Sequence, residues 1–585
     1  MPVENHNTTE QTDSTPSPAT IHSWRFGDLP AAELIPQLQK HLLAQNSEAL
    51  WQLVWLDNDG QPVIGLLPKT SWVVTPNFET LSDPLSVTYQ VTKHCRDVCI
   101  NIDDNAADSA AIKTTQMSYA KWQDELIAYS QTYESLSTDI KQSGTVNRKP
   151  NYHHGLIGFI GYDIAAHALS PVAAIQLAAQ PSAVLGHYDI YLMPASQDVT
   201  SAWTLTVHQT DDTSDISDER QHKNTLVTAL TSYLGAFDKT LSDSNNYMDQ
   251  ATPKTALQPV PLVLKARWDK PNYQTAFDQT QDYLQQGDCY QINLTQAWQG
   301  SLTYQDTSGK SLSSLINHLP NLQQNTQAPF AGYLNVQYDY QTHASPNHAK
   351  QAANVIQQKN TFELLSCSPE LFFTFIKDRK TGKHHIRTKP IKGTMPRGIT
   401  PEQDNNYKQQ LINSEKDRAE NVMIVDLLRN DLGKYAKIGS VKVPQLFAIE
   451  SFSNVHHMVS TITAELKADT HPLAVLFGSL PSGSITGTPK KRSVEIISEL
   501  ENAPRGAYCG TMGYMNFDGS GQWNVLIRTI QANHSFANDT GQQGHVSLWA
   551  GGGITVASDC KAEYQECLDK VGNLLSVLAQ KNSRQ

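Results

Sequence analysis

Arg387-Thr-Lys-Pro-Ile-Lys-Gly-Thr-Met-Pro-Arg397, followed by Asp417-Arg-Ala-Glu-Asn-Val-Met-Ile-Val-Asp-Leu-Leu-Arg-Asn-Asp-Leu-Gly433, is the stretch from which the rest of the 585-residue chain is read. The first segment encloses Lys392 between Pro390, Ile391, Gly393 and Thr394, the setting of a lysine held at a wall. A free lysine has a pKa of about 10.4 and becomes a nucleophile only where burial or a neighbouring cation disfavours the ammonium. A surface lysine in a turn fits the same window. The second segment sets Val422, Val425, Leu428 and Leu432 at three- and four-residue spacing, which predicts a helix over 415–435 carrying Glu420.

Outward from this pair, 563–578 repeats the helical spacing through Cys567, Val571, Leu574 and Leu578, while 456–465 and 522–532 alternate like strands. Glycines at 483, 487, 510 and 551–553 punctuate the region. The pattern predicts a mixed α/β fold with substantial antiparallel sheet. We expect a more regular region over 265–582, a more interrupted one over 24–235, a linker over 236–264 and a disordered tail over 1–23. The tail is rich in Asn, Thr, Ser, Pro and Glu and has no apolar signal core. Polar stretches near 100–150, 337–359 and 537–544 read as surface insertions.

The net charge of −12, with no basic cluster, argues against nucleic acid. No apolar run approaches the ~18 residues of a membrane span. The seven cysteines are scattered, and Cys95 and Cys99 have no second pair to complete a zinc site. Reduced thiols in cytoplasm are the economical expectation.

Several residues stand out chemically. Glu420 and Glu566 project from the two predicted helices, and Glu563 shares a face with Glu566 one turn earlier. If the helices converge, these carboxylates repel unless a cation lies between them, and oxygen-only ligands favour Mg²⁺ over zinc. Each alone is more often an ordinary solvated helix glutamate than a ligand. Glu370 follows a proline in the apolar Ser368-Pro-Glu-Leu-Phe-Phe373, where a carboxylate is either a general acid of raised pKa or an end cap. On the predicted strand 522–532, Arg528 shares a face with Leu526 and Ile530 and needs an anion, from a substrate or from the chain. His457 shares its strand face with Val459 and Thr461 and reads as a core histidine or a catalyst. Ser482-Gly-Ser-Ile-Thr-Gly-Thr-Pro-Lys-Lys491 fails the phosphate-loop spacing but offers Ser484 and backbone N–H groups ahead of a helix.

In this order, Gly287-Asp-Cys-Tyr-Gln-Ile-Asn-Leu294, Ser368-Pro-Glu370, Pro390-Ile-Lys-Gly-Thr394, 417–433, His457-Met-Val-Ser460, Gly483-Ser-Ile-Thr-Gly487, Ile527-Arg-Thr529, Ala550-Gly-Gly-Gly-Ile554 and Ala562-Glu-Tyr-Gln-Glu566 resemble the chorismate-utilising enzyme family. The resemblance implies that family's fold, largely antiparallel sheets packed as a sandwich with helices outside. It implies chorismate as substrate and Mg²⁺ as cofactor, with Glu420 and Glu566, and Glu563 beside them, as metal carboxylates. Arg528 with backbone groups at Gly551 and Gly553 would take the pyruvyl carboxylate. Ser484, His457, Tyr514 and Thr394 would line the ring. Water-adding members carry a lysine where this chain has Gln291, and anthranilate-forming members usually show alanine at the Lys392 position. The resemblance therefore points to the branch that aminates chorismate at C4, giving 4-amino-4-deoxychorismate for 4-aminobenzoate and folate, with anthranilate formation as the alternative. Lys392 would be the nucleophile and Glu370 the acid. No Gly-x-Cys-x-Gly nucleophile turn is found, so a separate glutamine amidotransferase subunit is expected to supply the ammonia.

Overall fold

The structure is a computed structural model that describes residues 20–43, 52–80, 87–96, 112–134, 150–195, 202–208, 217–246, 259–302, 313–339, 360–452, 455–537 and 541–580. Cys99 and most of the expected tail lie outside the described residues, as do large parts of the stretches near 100–150 and 337–359. Residues 20–24 form a strand, and Ile112–Met117 and Tyr119–Thr132 form a strand and a helix inside the first polar stretch.

Two antiparallel twelve-stranded sheets face one another. One runs from Thr20–Trp24 through Phe330–Tyr338, Asn360–Ser368, Thr529–Ala537 and Gly541–Ile554 to Gln291–Leu302 and Lys265–Ala266. The other runs from Ile391–Pro396 through Val455–Glu465, Leu371–Lys377, Gly521–Asn524 and Thr511–Asn516 to Thr70–Pro76 and Ile112–Met117. Each sheet mixes strands from before and after residue 260, so the two stretches of sequence build the sandwich jointly. Between the sheets lie Val54, Ile157, Phe159, Leu334, Phe362, Leu364, Met512, Tyr514 and Leu526, with Phe159 stacked on Phe362 at 5.5 Å. Helices cover the outer faces. Ile424, Val425, Leu428 and Leu432 seat the Glu415–Gly433 helix on one, and Cys567, Val571, Leu574 and Leu578 seat the Cys560–Ala579 helix on the other. The α/β sandwich expected from the sequence is the one observed.

Local details differ from the reading of the sequence. Val422 is 42 % exposed, and the buried stripe of its helix runs instead through Asn421, Ile424, Val425 and Leu428. The Ser217–Asn246 helix continues into the stretch expected to be a linker, because Leu230, Leu234 and Phe237 extend one buried face past residue 236. The run 522–532 is two strands, not one. Gly521–Asn524 belongs to one sheet and Thr529–Ala537 to the other, and Arg528 at the crossing has φ +50°.

One buried cluster makes the fold acid-sensitive. His154 Nε2 lies 2.8 Å from His187 Nε2, Tyr129 Oη 2.7 Å from His187 Nδ1, and the His154 and His208 rings stack at 4.3 Å. Burial holds His187 down to about 3 and His208 to about 4, and holds His154 well below the ordinary value. The folded state therefore binds fewer protons than the unfolded chain below pH 6.5, and stability is lost as pH falls from there toward 4. The unfolding midpoint should drop over that interval, and His208→Gln should make the slope shallower. A midpoint flat from pH 6.5 to 4 would contradict this.

Candidate active site

The two sheet crossings meet. Asn360–Ser368 lies in one sheet and Leu371–Lys377 in the other, with Pro369-Glu370 between them, as Val525–Arg528 lies between Gly521–Asn524 and Thr529–Ala537. The crossings are stitched together: Val525 N–H donates to the Glu370 carbonyl at 3.0 Å and Cys367 N–H to the Arg528 carbonyl at 3.0 Å. A chain that leaves one sheet for the other stops alternating, so Glu370 and Arg528 are freed from both cores and face the same space. That space is a cavity of about 560 Å³, of the size that holds a small metabolite.

Its walls collect most of the residues singled out in the sequence: Glu370, Lys392, Thr394, Glu420, His457, Ser484, Arg528, Gly551, Gly553, Glu563 and Glu566. Glu370 is 9 % exposed, and burial raises its carboxyl to about 7 against the pull of Lys392 and a hydrogen bond from Ser484. Lys392 Nζ lies 3.6 Å from Glu420 Oε2, its side chain 17 % exposed. His457 Nδ1 is 2.8 Å from Thr394 Oγ1, and burial holds the imidazole to about 4, hence neutral at physiological pH. Burial also lowers the Arg528 guanidinium, which has Glu370 among its nearby charges.

At the other end, three carboxylates converge. Glu563 is 2 % exposed and raised by burial, and Lys416 Nζ stands 3.5 Å from it and 3.9 Å from Glu420. Glu566 pairs with Lys570 at 2.6 Å, and Lys570 also donates to the Gly551 carbonyl at 2.7 Å. A Cβ on Gly552 would lie 2.9 Å from Glu563 Oε2, so glycine keeps this wall open for the carboxylates. Among the described residues no group of three or more His, Cys, Asp or Glu closes to metal-binding geometry, lysines holding the carboxylates instead.

A family model described as chorismate binding enzyme matches residues 96–576. The chain belongs to that family. "Aminodeoxychorismate synthase component 1" of Salmonella typhimurium (strain LT2) is 35 % identical over 432 residues, 73 % of this chain and 77 % of that protein. The protein of the same name from Escherichia coli (strain K12) is 36 % identical over 440 residues, 74 % of this chain and 79 % of that one. The crystal structure of anthranilate synthase component I from Streptococcus pneumoniae TIGR4 superposes with a TM-score of 0.56 at 19 % identity, covering 88 % of this chain and 91 % of that one, a likeness of fold.

Within this family site, two residues expected to touch the substrate, Tyr514 and Gln291, do not line the cavity. Tyr514 is fully buried between the sheets and donates to the Pro150 carbonyl, because its position in Thr511–Asn516 alternates inward. Tyr508 and Trp549 provide the cavity's large aromatic rings instead. Gln291 lies behind the wall, its amide Nε2 2.1 Å from where a Cβ on Gly553 would stand. Both its side-chain atoms are buried without a hydrogen-bond partner among the described residues. Sequence reasoning also passed over Asn293, Lys416 and Lys570. Lys570 carries a signal of its own, four residues after Glu566. Arg505, 1 % exposed, is missed too: paired with Glu501 at 2.6 Å, it donates to the carbonyls of Ile485 and Asn293 and fixes two walls.

Proposed function

We propose that this chain aminates chorismate at C4, with ammonia from a separate glutamine amidotransferase subunit, giving 4-amino-4-deoxychorismate. The observation that carries this is Lys392, an amine at the cavity wall in the same space as a buried Glu370 whose carboxyl keeps its proton to about pH 7. The names of the relatives support the reading. Gln291 supports it as well, since a neutral amide is no base for activating water.

In this reading the carboxylates Glu420, Glu563 and Glu566 would hold Mg²⁺. Their oxygens are hard donors, and an ammonium, that of Lys416, stands between two of them where a cation is needed. Bound there, the ion would neutralise the ring carboxylate of the substrate. Arg528 takes the second carboxylate through its planar fork, aided by N–H groups near Gly551 and Gly553. Glu370 gives its proton to the C4 hydroxyl, which departs as water, while the lone pair of the Lys392 amine forms a bond to C2 and the two conjugated ring double bonds shift round the ring toward C4 as the C4–O bond breaks. Ammonia then bonds to C4, both double bonds shift back, and the C2–N bond breaks to release Lys392. The enolpyruvyl group is untouched throughout. Thr394 holds the neutral His457 against the ring, and Ser484 orients Glu370.

Turnover of chorismate with Mg²⁺ and ammonium salt, and none with glutamine alone, is the expected result for the isolated chain. Absence of any turnover with ammonium would overturn the enzymatic reading in favour of a binding subunit.

A further inference from the structure

Lys416 lies in the first turn of the Glu415–Gly433 helix, where a cation opposes the helix dipole. It precedes Glu420 by four residues, the weaker order for a helical ion pair. Helix stability therefore does not account for it. Glu563, by contrast, is almost wholly buried on a different helix, and among the described residues Lys416 is the only cation within 4 Å of it. The same ammonium reaches Glu420 at 3.9 Å, so one charge bridges the two helices that carry the carboxylates.

The three lysines at this end of the cavity are not equivalent. Lys392 is largely enclosed, with its side chain 17 % exposed, and Lys570 is anchored on Glu566 and the Gly551 carbonyl. Lys416 has a side chain 60 % exposed and no further hydrogen bond among the described residues. Its flexible stem can swing into water at little cost, and the ammonium is well hydrated there. We propose that Lys416 is the chain's own counter-cation for this site. In the metal-free protein it bridges Glu420 and Glu563, and a divalent cation enters as that ammonium swings out. This rests on the reading of Glu420, Glu563 and Glu566 as a metal site, and it makes Lys416 a positioning residue that tunes metal affinity and offsets the mutual repulsion of Glu420 and Glu563 when no metal is bound.

The test uses the full-length chain without substrate. Mg²⁺ is titrated calorimetrically into wild type, Lys416→Met and Lys416→Arg, and thermal midpoints are compared in EDTA and in saturating Mg²⁺. If the ammonium leaves the site open about one-tenth of the time, Lys416→Met binds Mg²⁺ roughly tenfold more tightly. Lys416→Arg, which keeps the charge, stays near wild type. In EDTA the Met variant melts below wild type, and the gap narrows in Mg²⁺, as tighter binding to the folded state requires. Equal or weaker Mg²⁺ affinity in the Met variant overturns the proposal, as does a lower midpoint unchanged by Mg²⁺. Failure of all three proteins to bind Mg²⁺ overturns the metal reading itself, which separates the two claims.

Discussion

Lys392→Ala is expected to reduce amination of chorismate by on the order of 10³-fold or more, the scale on which loss of a catalytic nucleophile is felt. The physical ground is placement. The amine lines the same cavity as Glu370 and is partnered only loosely by Glu420 at 3.6 Å. Both side chains are only 16–17 % exposed, and removing the lysine leaves Glu420 with Lys416 at 3.9 Å, so the variant should fold but melt below wild type. The loss should therefore fall on kcat, with the dianion contacts of Arg528 left to sustain binding. Steady-state kinetics with ammonium as nitrogen donor checks this. Wild-type rates in the variant would mean that ammonia attacks without a covalent lysine step.

Glu370→Gln carries the second large effect. General acids contribute roughly 10²–10⁴-fold, and the amide cannot donate the proton the leaving hydroxyl needs. With its carboxyl at about 7, Glu370 is protonated in the free protein below that pH, so kcat/KM of wild type should decline above pH 7. That limb should be missing from whatever activity the variant retains. Stability should move the other way. A carboxyl raised on folding contributes stability that is fully present below its unfolded pKa, near 4.3, and is lost as pH rises through 7. The variant has no buried charge to form, so its midpoint should exceed that of wild type at pH 8 and approach it at pH 5. A variant less stable than wild type at pH 8 would show that the Glu370 charge is compensated in the fold.

The sequence made the helices and most of the site legible for physical reasons that stop at identifiable places. Leu428, Leu432, Val571 and Leu574 repeat at helical spacing because each helix seals one sheet face, and that repeat survives without knowledge of the partner. Glu370 and Arg528 stood out as charges in apolar runs, but alternation treated 522–532 as one strand and could not reveal that the chain changes sheets at Arg528. Tyr514 was misplaced because period-2 alternation does not say which of a strand's faces is the inner one when both are buried. Val422 fitted the helical repeat as well as Ile424 does, and only packing distinguishes them. Lys416 was illegible because its meaning lies in Glu563, on a helix more than a hundred residues away in sequence.

The most direct measurement of the central claim is the identity of the product formed from chorismate, Mg²⁺ and ammonium by the chain alone. The account expects 4-amino-4-deoxychorismate with its enolpyruvyl group retained, seen by mass spectrometry, and no pyruvate released. Anthranilate fluorescence rising together with pyruvate as the main outcome would contradict it.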